Sequence, residues 1–253
     1  MDRLIYTALN SLHNRRDSNV TLAQNLANMN VPGYRADLDN PGGTRFLDAM
    51  DQANVRAFQL EEGPAGFSED SGFLDKTDNI LDVAIADKGY FFMKPDNGGP
   101  PALTRRGDLT RGNDGILRNG AGEEMLNAQM QPINLPPFRQ IVINEIGEII
   151  IEPVDGAPGE QLNVAVLATV VPPEGTLQKG ADGHIRNKNG TMPAPDQQAK
   201  VMQGTLERSN VNAIDELLST IDNQRSFEFG MKMISETEKI DEAGTSLMQA
   251  PME

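Results

Sequence analysis

The chain has 253 residues, enough for one or two domains with a real core, and a formal net charge of −15. That acidity argues against a nucleic-acid ligand, which draws on Lys and Arg, and against an anionic membrane surface. There is no cysteine, so disulfides, thiolate metal sites and thiol catalysis are excluded, and no apolar run approaches the ~18–20 residues of a membrane span.

Residues 1–29 predict a long amphipathic helix. Leu4, Ile5, Ala8, Leu9 and Leu12 form one apolar stripe, and Leu22, Ala23, Leu26 and Met29 a second. The polar run Asn14–Asn19 interrupts them, and Pro32-Gly33 stops the helix. This N-terminus lacks the continuous apolar stretch and small-residue cleavage site of a secretory signal peptide. Residues 35–70 read as a mixed linker. Breaker clusters at Asn40-Pro41-Gly42-Gly43 and Glu62–Gly66 flank a candidate short helix, Arg45–Leu60.

From Leu74 the pattern changes to β. Ile80–Asp87 partly alternates, Gly89–Met93 is a compact aromatic strand, and Leu103–Thr110 follows. Asp114-Gly115 and Asn119-Gly120 are tight-turn dipeptides. Ile141–Ile143 and Ile149–Ile151 flank Glu145–Glu148 as a hairpin, Leu162–Val171 is a further strand, and His184–Arg186 with Asn189-Gly190 gives one more turn. Short strands at this spacing imply a β-rich domain of antiparallel meander or sandwich type.

Asn210–Met248 predicts the longest helix, free of proline until Pro251. Asn212 is a good N-cap, and Asp215 and Glu216 suit the positive end of the helix dipole. Ile214, Leu217, Leu218 and Ile221 follow with helical spacing. About 37 residues at ~1.5 Å each make a helix roughly 55 Å long, too lightly apolar to stand alone. The expected fold is therefore α+β: long N- and C-terminal helices pairing as a coiled coil, with a central β-rich domain between them in the chain. Two separate surface helices on a globular core are the alternative. The expected divisions are 1–35 (helix), 36–70 (linker), 71–200 (β-rich) and 201–253 (helix). Helix seams are expected at Leu4, Ile5, Leu12, Leu22, Leu26, Ile214, Leu217, Leu218 and Ile221.

No catalytic, cofactor or metal site emerges. His13 and His184 belong to no metal-ligand spacing or nucleophile triad. Asp75, Asp78 and Asp82 lack the loop pattern of a calcium site and read as solvated. Asn189-Gly190-Thr191 matches a glycosylation sequon, which its turn role explains equally well, and Arg106-Gly107-Asp108 reads as a chance tripeptide. A chain of this length without a convergent polar constellation points to an assembly protein and not an enzyme.

Four stretches resemble one family, the rod and hook proteins of the bacterial flagellum. Gln24–Arg35, with Asn25, Leu26, Ala27, Asn28, Pro32, Gly33 and Tyr34, is similar to the family's N-terminal signature, departing from it at Gln24 and Val31. Leu81–Phe92 resembles its first strand pair, with Asp87 where Gly is common. Leu103–Leu109 with Asp114-Gly115 resembles a third motif. Gly204–Asn212, including Ser209, Asn210, Val211 and Asn212, followed by Ile221, Gln224, Arg225, Phe227 and Glu228, resembles the C-terminal signature. Met1–Ala8 looks like the proximal-rod kind, with distal-rod and hook kinds as alternatives.

The resemblance implies a structural subunit of the basal-body rod that polymerises through its terminal helices into the periplasmic drive shaft. It implies other rod subunits and further copies of itself as partners, and export by the flagellar type III apparatus without a cleaved signal peptide. No cofactor, nucleic acid or membrane insertion is implied. The absence of cysteine suits a chain that travels unfolded and assembles in an oxidising compartment.

Overall fold

A computed structural model describes residues 2–38, 66–180 and 182–249. The linker clusters at Asn40–Gly43 and Glu62–Gly66 and the candidate helix Arg45–Leu60 fall wholly or almost wholly outside the described residues. The chain forms two units: a helical one carrying the terminal helices, and a β unit built from residues 28–38 and 66–211.

In the helical unit, α1 covers Asp2–Ala27 and α2 covers Ala213–Gln249. The Asn212 side chain caps α2 as expected. Its Oδ1 accepts from Ile214 N at 3.1 Å, and its Nδ2 donates to Asp215 Oδ2 at 2.7 Å. The expected coiled coil of long terminal helices is overturned. The two helices are of unequal length, 26 and 37 residues, and among the described residues no heptad apolar seam joins them. Ile214, Leu217, Leu218 and Ile221 are 69, 49, 56 and 46% exposed. Their helical spacing puts these four on one face, but α1 meets another face of α2, the one that carries Glu216, Asn223 and Gly230. Phe227, Phe229, Met231 and Met233 alternate, and all four are exposed. A period of two scatters side chains around a helix instead of stacking them. The dominant architecture is the β unit.

Among its described residues that unit has fifteen short strands, β1 (Leu74–Lys76), β2 (Val83–Ile85), β3 (Tyr90–Lys94), β4 (Ala102–Thr104), β5 (Leu109–Arg111), β6 (Leu117–Asn119), β7 (Glu124–Met125), β8 (Phe138–Ile143), β9 (Glu148–Pro153), β10 (Leu162–Val166), β11 (Thr169–Val170), β12 (Leu177–Lys179), β13 (Ile185–Asn187), β14 (Val201–Gln203) and β15 (Thr205–Glu207). All pairings are antiparallel. The largest sheet has the order β12-β13-β4-β3-β7-β6-β5, with β11 also on β3. β8-β9-β10 form a second sheet, and the pairs β1-β15 and β2-β14 complete the unit.

β3 explains the aromatic run. Phe91 and Met93 enter one buried cluster with Leu109, Leu117 and Ile149, while Tyr90 and Phe92 enter another with Leu103 and Leu126. A strand covered on both faces is apolar throughout, where a one-faced strand would alternate. The β8–β9 hairpin pairs Ile143 with Ile149. Its turn is set by Asn144, whose Oδ1 accepts from Ile146 N and Glu148 N, and by Gly147 at φ +82°. The expected strand Leu162–Val171 is two, β10 and β11. Asp82 is not solvated; its buried carboxylate accepts from Thr77 Oγ1 at 2.7 Å and Asn79 Nδ2 at 2.8 Å.

Candidate functional site

A cluster of buried charge lies in the β unit where the segment by which the chain enters the unit meets the segment by which it leaves. Pro32-Gly33 turns the chain after α1, and Gly33 N donates to Glu207 O at 2.7 Å. Gly33 is required here: its φ is +66°, and a Cβ would stand 2.3 Å from the Arg105 carbonyl carbon. Arg35 then extends inward, with Nη2 2.9 Å from Glu207 Oε1 and Nη1 donating to Asp70 O. From the other side Arg105, between β4 and β5, places Nη1 3.3 Å from Glu207 Oε2 and 3.0 Å from Ile85 O, while Nη2 donates to Asp87 O and to Ser71 Oγ. Gly72 N completes the carboxylate's partners, donating to Oε1 at 2.8 Å.

All three charged side chains are at least 98% buried. Two cations share one carboxylate, and Nε of each guanidinium has no hydrogen-bond partner among the described residues. Burial pulls the Arg105 guanidinium down to about 10; the Glu207 charge opposes that and the Arg35 charge adds to it. Arg105 therefore remains a cation at neutral pH. Its guanidinium carbon lies 5.6 Å from the centre of the Tyr90 ring. Burial pushes the Tyr90 phenol up, against the two nearby arginines.

A second layer surrounds this triad. Asn210 donates its backbone N–H to Tyr34 O at 3.3 Å, accepts from Ala36 N through Oδ1 at 2.7 Å, and reaches Asp70 O through Nδ2 at 2.9 Å. Lys179 pairs with Asp37 at 2.7 Å and sits 4.3 Å from the Tyr34 ring centre, while Tyr34 Oη donates to Asp37 Oδ2 at 3.1 Å. The two signature stretches thus converge in the β unit, Pro32, Gly33 and Tyr34 from one end and Ser209 and Asn210 from the other. Val211 ends the unit half-buried.

The helical unit contains a separate polar contact. Asn223, buried on α2, donates through Nδ2 to Arg15 O at 3.0 Å and Asn19 Oδ1 at 2.9 Å, and accepts from Arg15 Nη1 at 3.4 Å. Asn25 donates to Glu216 Oε1 at 3.1 Å. Gly230 lets α1 approach: a Cβ there would stand 3.2 Å from Leu12 Cδ2. Leu22 and Leu26 on α1 are half-buried, and Leu4 and Ile5 lie in its first turns. Ala27, Asn212, Arg225 and Glu228 are exposed, and Asn28 is half-buried.

Sequence reasoning does not single out Arg35, Arg105, Glu207 or Asn223. One signal was present: each residue of the triad lies in a different resemblance stretch. Among the described residues, no group of three or more His, Asp or Glu could hold a metal ion.

Comparison with known proteins decides the family. The family described as "Flagellar basal body rod FlgEFG protein C-terminal" matches residues 202–247. The flagellar basal-body rod protein FlgF of Rhizobium meliloti is 33% identical over 234 residues, 88% of each chain. This chain belongs to the flagellar basal-body rod protein family. The FlgF proteins of Escherichia coli, 30% identical over 96% of each chain, and of Salmonella typhimurium, 29% identical over 98% of this chain and 99% of its own, are similar along their whole length. The rod protein is a structural subunit of the flagellar basal-body rod and resides in the basal body. The family match covers β15, which carries Glu207, and most of β14 and α2, so the exit residue of the triad lies within it.

Proposed function

We propose that this rod subunit is of the proximal-rod kind, and that it polymerises through the exposed apolar side chains of α2 with other rod subunits and copies of itself. The observation that carries this reading is the exposure of Ile214, Leu217, Leu218 and Ile221. An exposed apolar patch marks a surface that another molecule covers. Leu22 and Leu26 on α1 are assigned to the same assembly surface, together with Leu4, Ile5 and Leu12. Repeated contacts between non-identical patches generate an open helical array, which suits a shaft that transmits torque for motility. The work is mechanical, with no catalytic step, and takes place in the periplasm. Export through the flagellar type III apparatus without a cleaved signal peptide is part of the same proposal.

The test is the paired substitution Leu218→Asp and Ile221→Asp in the full chain. The expected result is loss of motility and of the subunit from purified basal bodies, with the β unit of the isolated protein melting as in the unsubstituted chain. Normal incorporation of the doubly substituted subunit refutes the assignment. Labelled subunit at the membrane-proximal end of isolated rods supports the proximal position, and label at the hook end refutes it.

A further inference from the structure

The triad has a consequence for how the β unit comes into being. Arg35 arrives on the entering segment and Arg105 on the loop between β4 and β5, whereas Glu207 is the last residue of the last strand. Apart from Glu207, the acceptors of both guanidiniums are backbone carbonyls and the Ser71 hydroxyl. Before Glu207 is in place, burying both arginines would bring two like charges together out of water. That is among the costliest arrangements a protein interior offers. The same step brings backbones together. A Cβ on Gly72 would be 1.9 Å from Arg208 O, and a Cβ on Gly33 2.3 Å from Arg105 C. The carboxylate, the two guanidiniums and the glycine contacts thus all meet in one place.

We infer that Glu207 is the closing residue of the β unit, and that its insertion between Arg35 and Arg105 makes residues 28–38 and 201–211 part of one cooperative unit with the core instead of docked appendages. The unit is complete only when both segments are present. The entering and leaving segments are held side by side by the event that completes the core. Glu207 acts as a positioning residue, fixing where both segments sit.

Native-state amide hydrogen exchange on the full chain tests this directly. The closing amides are Gly33, Gly72 and Ala36, which donate to Glu207 O, Glu207 Oε1 and Asn210 Oδ1; the core amides are Phe92 and Leu126, which donate to Ala168 O and Phe92 O. The expected result is one opening free energy and one denaturant dependence for both sets. Exchange of the closing amides through a small local opening, with little denaturant dependence and ahead of the core, overturns the inference. Glu207→Gln supplies the second arm. It keeps the shape of the side chain but removes the carboxylate charge that both buried cations share. Protection at Phe92 and Leu126 is expected to fall by roughly 10²-fold or more, by the same factor as at Gly33 and Gly72. Wholesale unfolding of the β unit supports the inference equally. Loss confined to Gly33 and Gly72, with core protection retained, overturns it.

Discussion

Two glycines of nearly equal φ allow the close approach at the triad to be measured. Gly33 has φ +66° and Gly98 has φ +73°, so replacement by alanine imposes a similar left-handed strain of roughly 1–2 kcal/mol at both. Reduced freedom of the unfolded chain works in the opposite direction by about 0.4–1 kcal/mol. At Gly98 nothing lies within 4 Å of the new Cβ, and the net cost is about 1 kcal/mol. At Gly33 the Cβ meets Arg105 C, Arg105 O and Arg106 N at 2.3, 2.4 and 2.6 Å. Ordinary carbon contacts lie near ~3.5–4.0 Å. The two backbones must separate by roughly 1 Å, which breaks the Gly33 N–Glu207 O bond, now 2.7 Å. A lost buried hydrogen bond adds about 1–3 kcal/mol, so Gly33→Ala should cost roughly 2–4 kcal/mol in all. For a unit of this size each kcal/mol moves Tm by about 2–4 °C. Urea and thermal unfolding followed by far-ultraviolet circular dichroism would give both numbers. Equal midpoints for the Gly33→Ala and Gly98→Ala proteins would refute the claim that backbone approach, and not φ alone, fixes Gly33.

Phe91→Ala should destabilise the β unit by about 3–5 kcal/mol, because the ring is fully buried on β3; a loss below 1 kcal/mol in urea unfolding would mean the strand is not covered on that face. Asn223→Ala removes every hydrogen bond this side chain makes between α2 and α1 and should weaken the helical unit by roughly 1–3 kcal/mol, read as earlier loss of helical signal on heating, whereas an unchanged helical melt counts against this contact. The Asp114 carboxyl, held down to about 2 by its hydrogen bonds from Arg118 and Ile116 N, should titrate there by carbon-detected NMR and return toward the ordinary carboxylate range in Arg118→Gln. Because the folded value lies below the unfolded one, this pair contributes its stability above the ordinary carboxylate range and loses it as pH falls toward 2; Asp114 titrating near 4 in the unsubstituted protein would refute the pairing.

The residues differ in how much of this was legible from sequence. The β8–β9 hairpin could be read because two short apolar runs, Ile141–Ile143 and Ile149–Ile151, flank a turn whose glycine favours the required backbone. The α2 cap could be read because a cap is local: Asn212 reaches only as far as Asp215. The seam could not, since helical spacing says which residues share a face but not whether a partner covers that face. The side of α2 that meets α1 carries Asn223, Glu216 and Gly230, residues that read as solvent-facing. The triad was hidden for a similar reason. Arg and Glu are rarely fully buried unless paired, and the pairing joins positions distant in the chain. The resemblance stretches pointed to Pro32–Arg35 and Glu207–Asn210 as linear signatures, and only the fold shows that they touch each other.

The closing triad also has an optical consequence. The chain contains no tryptophan and three tyrosines. Tyr6 lies in α1; the other two each have a cation over the ring, Arg105 above Tyr90 and Lys179 above Tyr34, and both belong to the region where the chain enters and leaves the β unit. Two of the three phenols therefore have surroundings that change together when that region opens. The molecule carries its own reporter of closure, readable without a label.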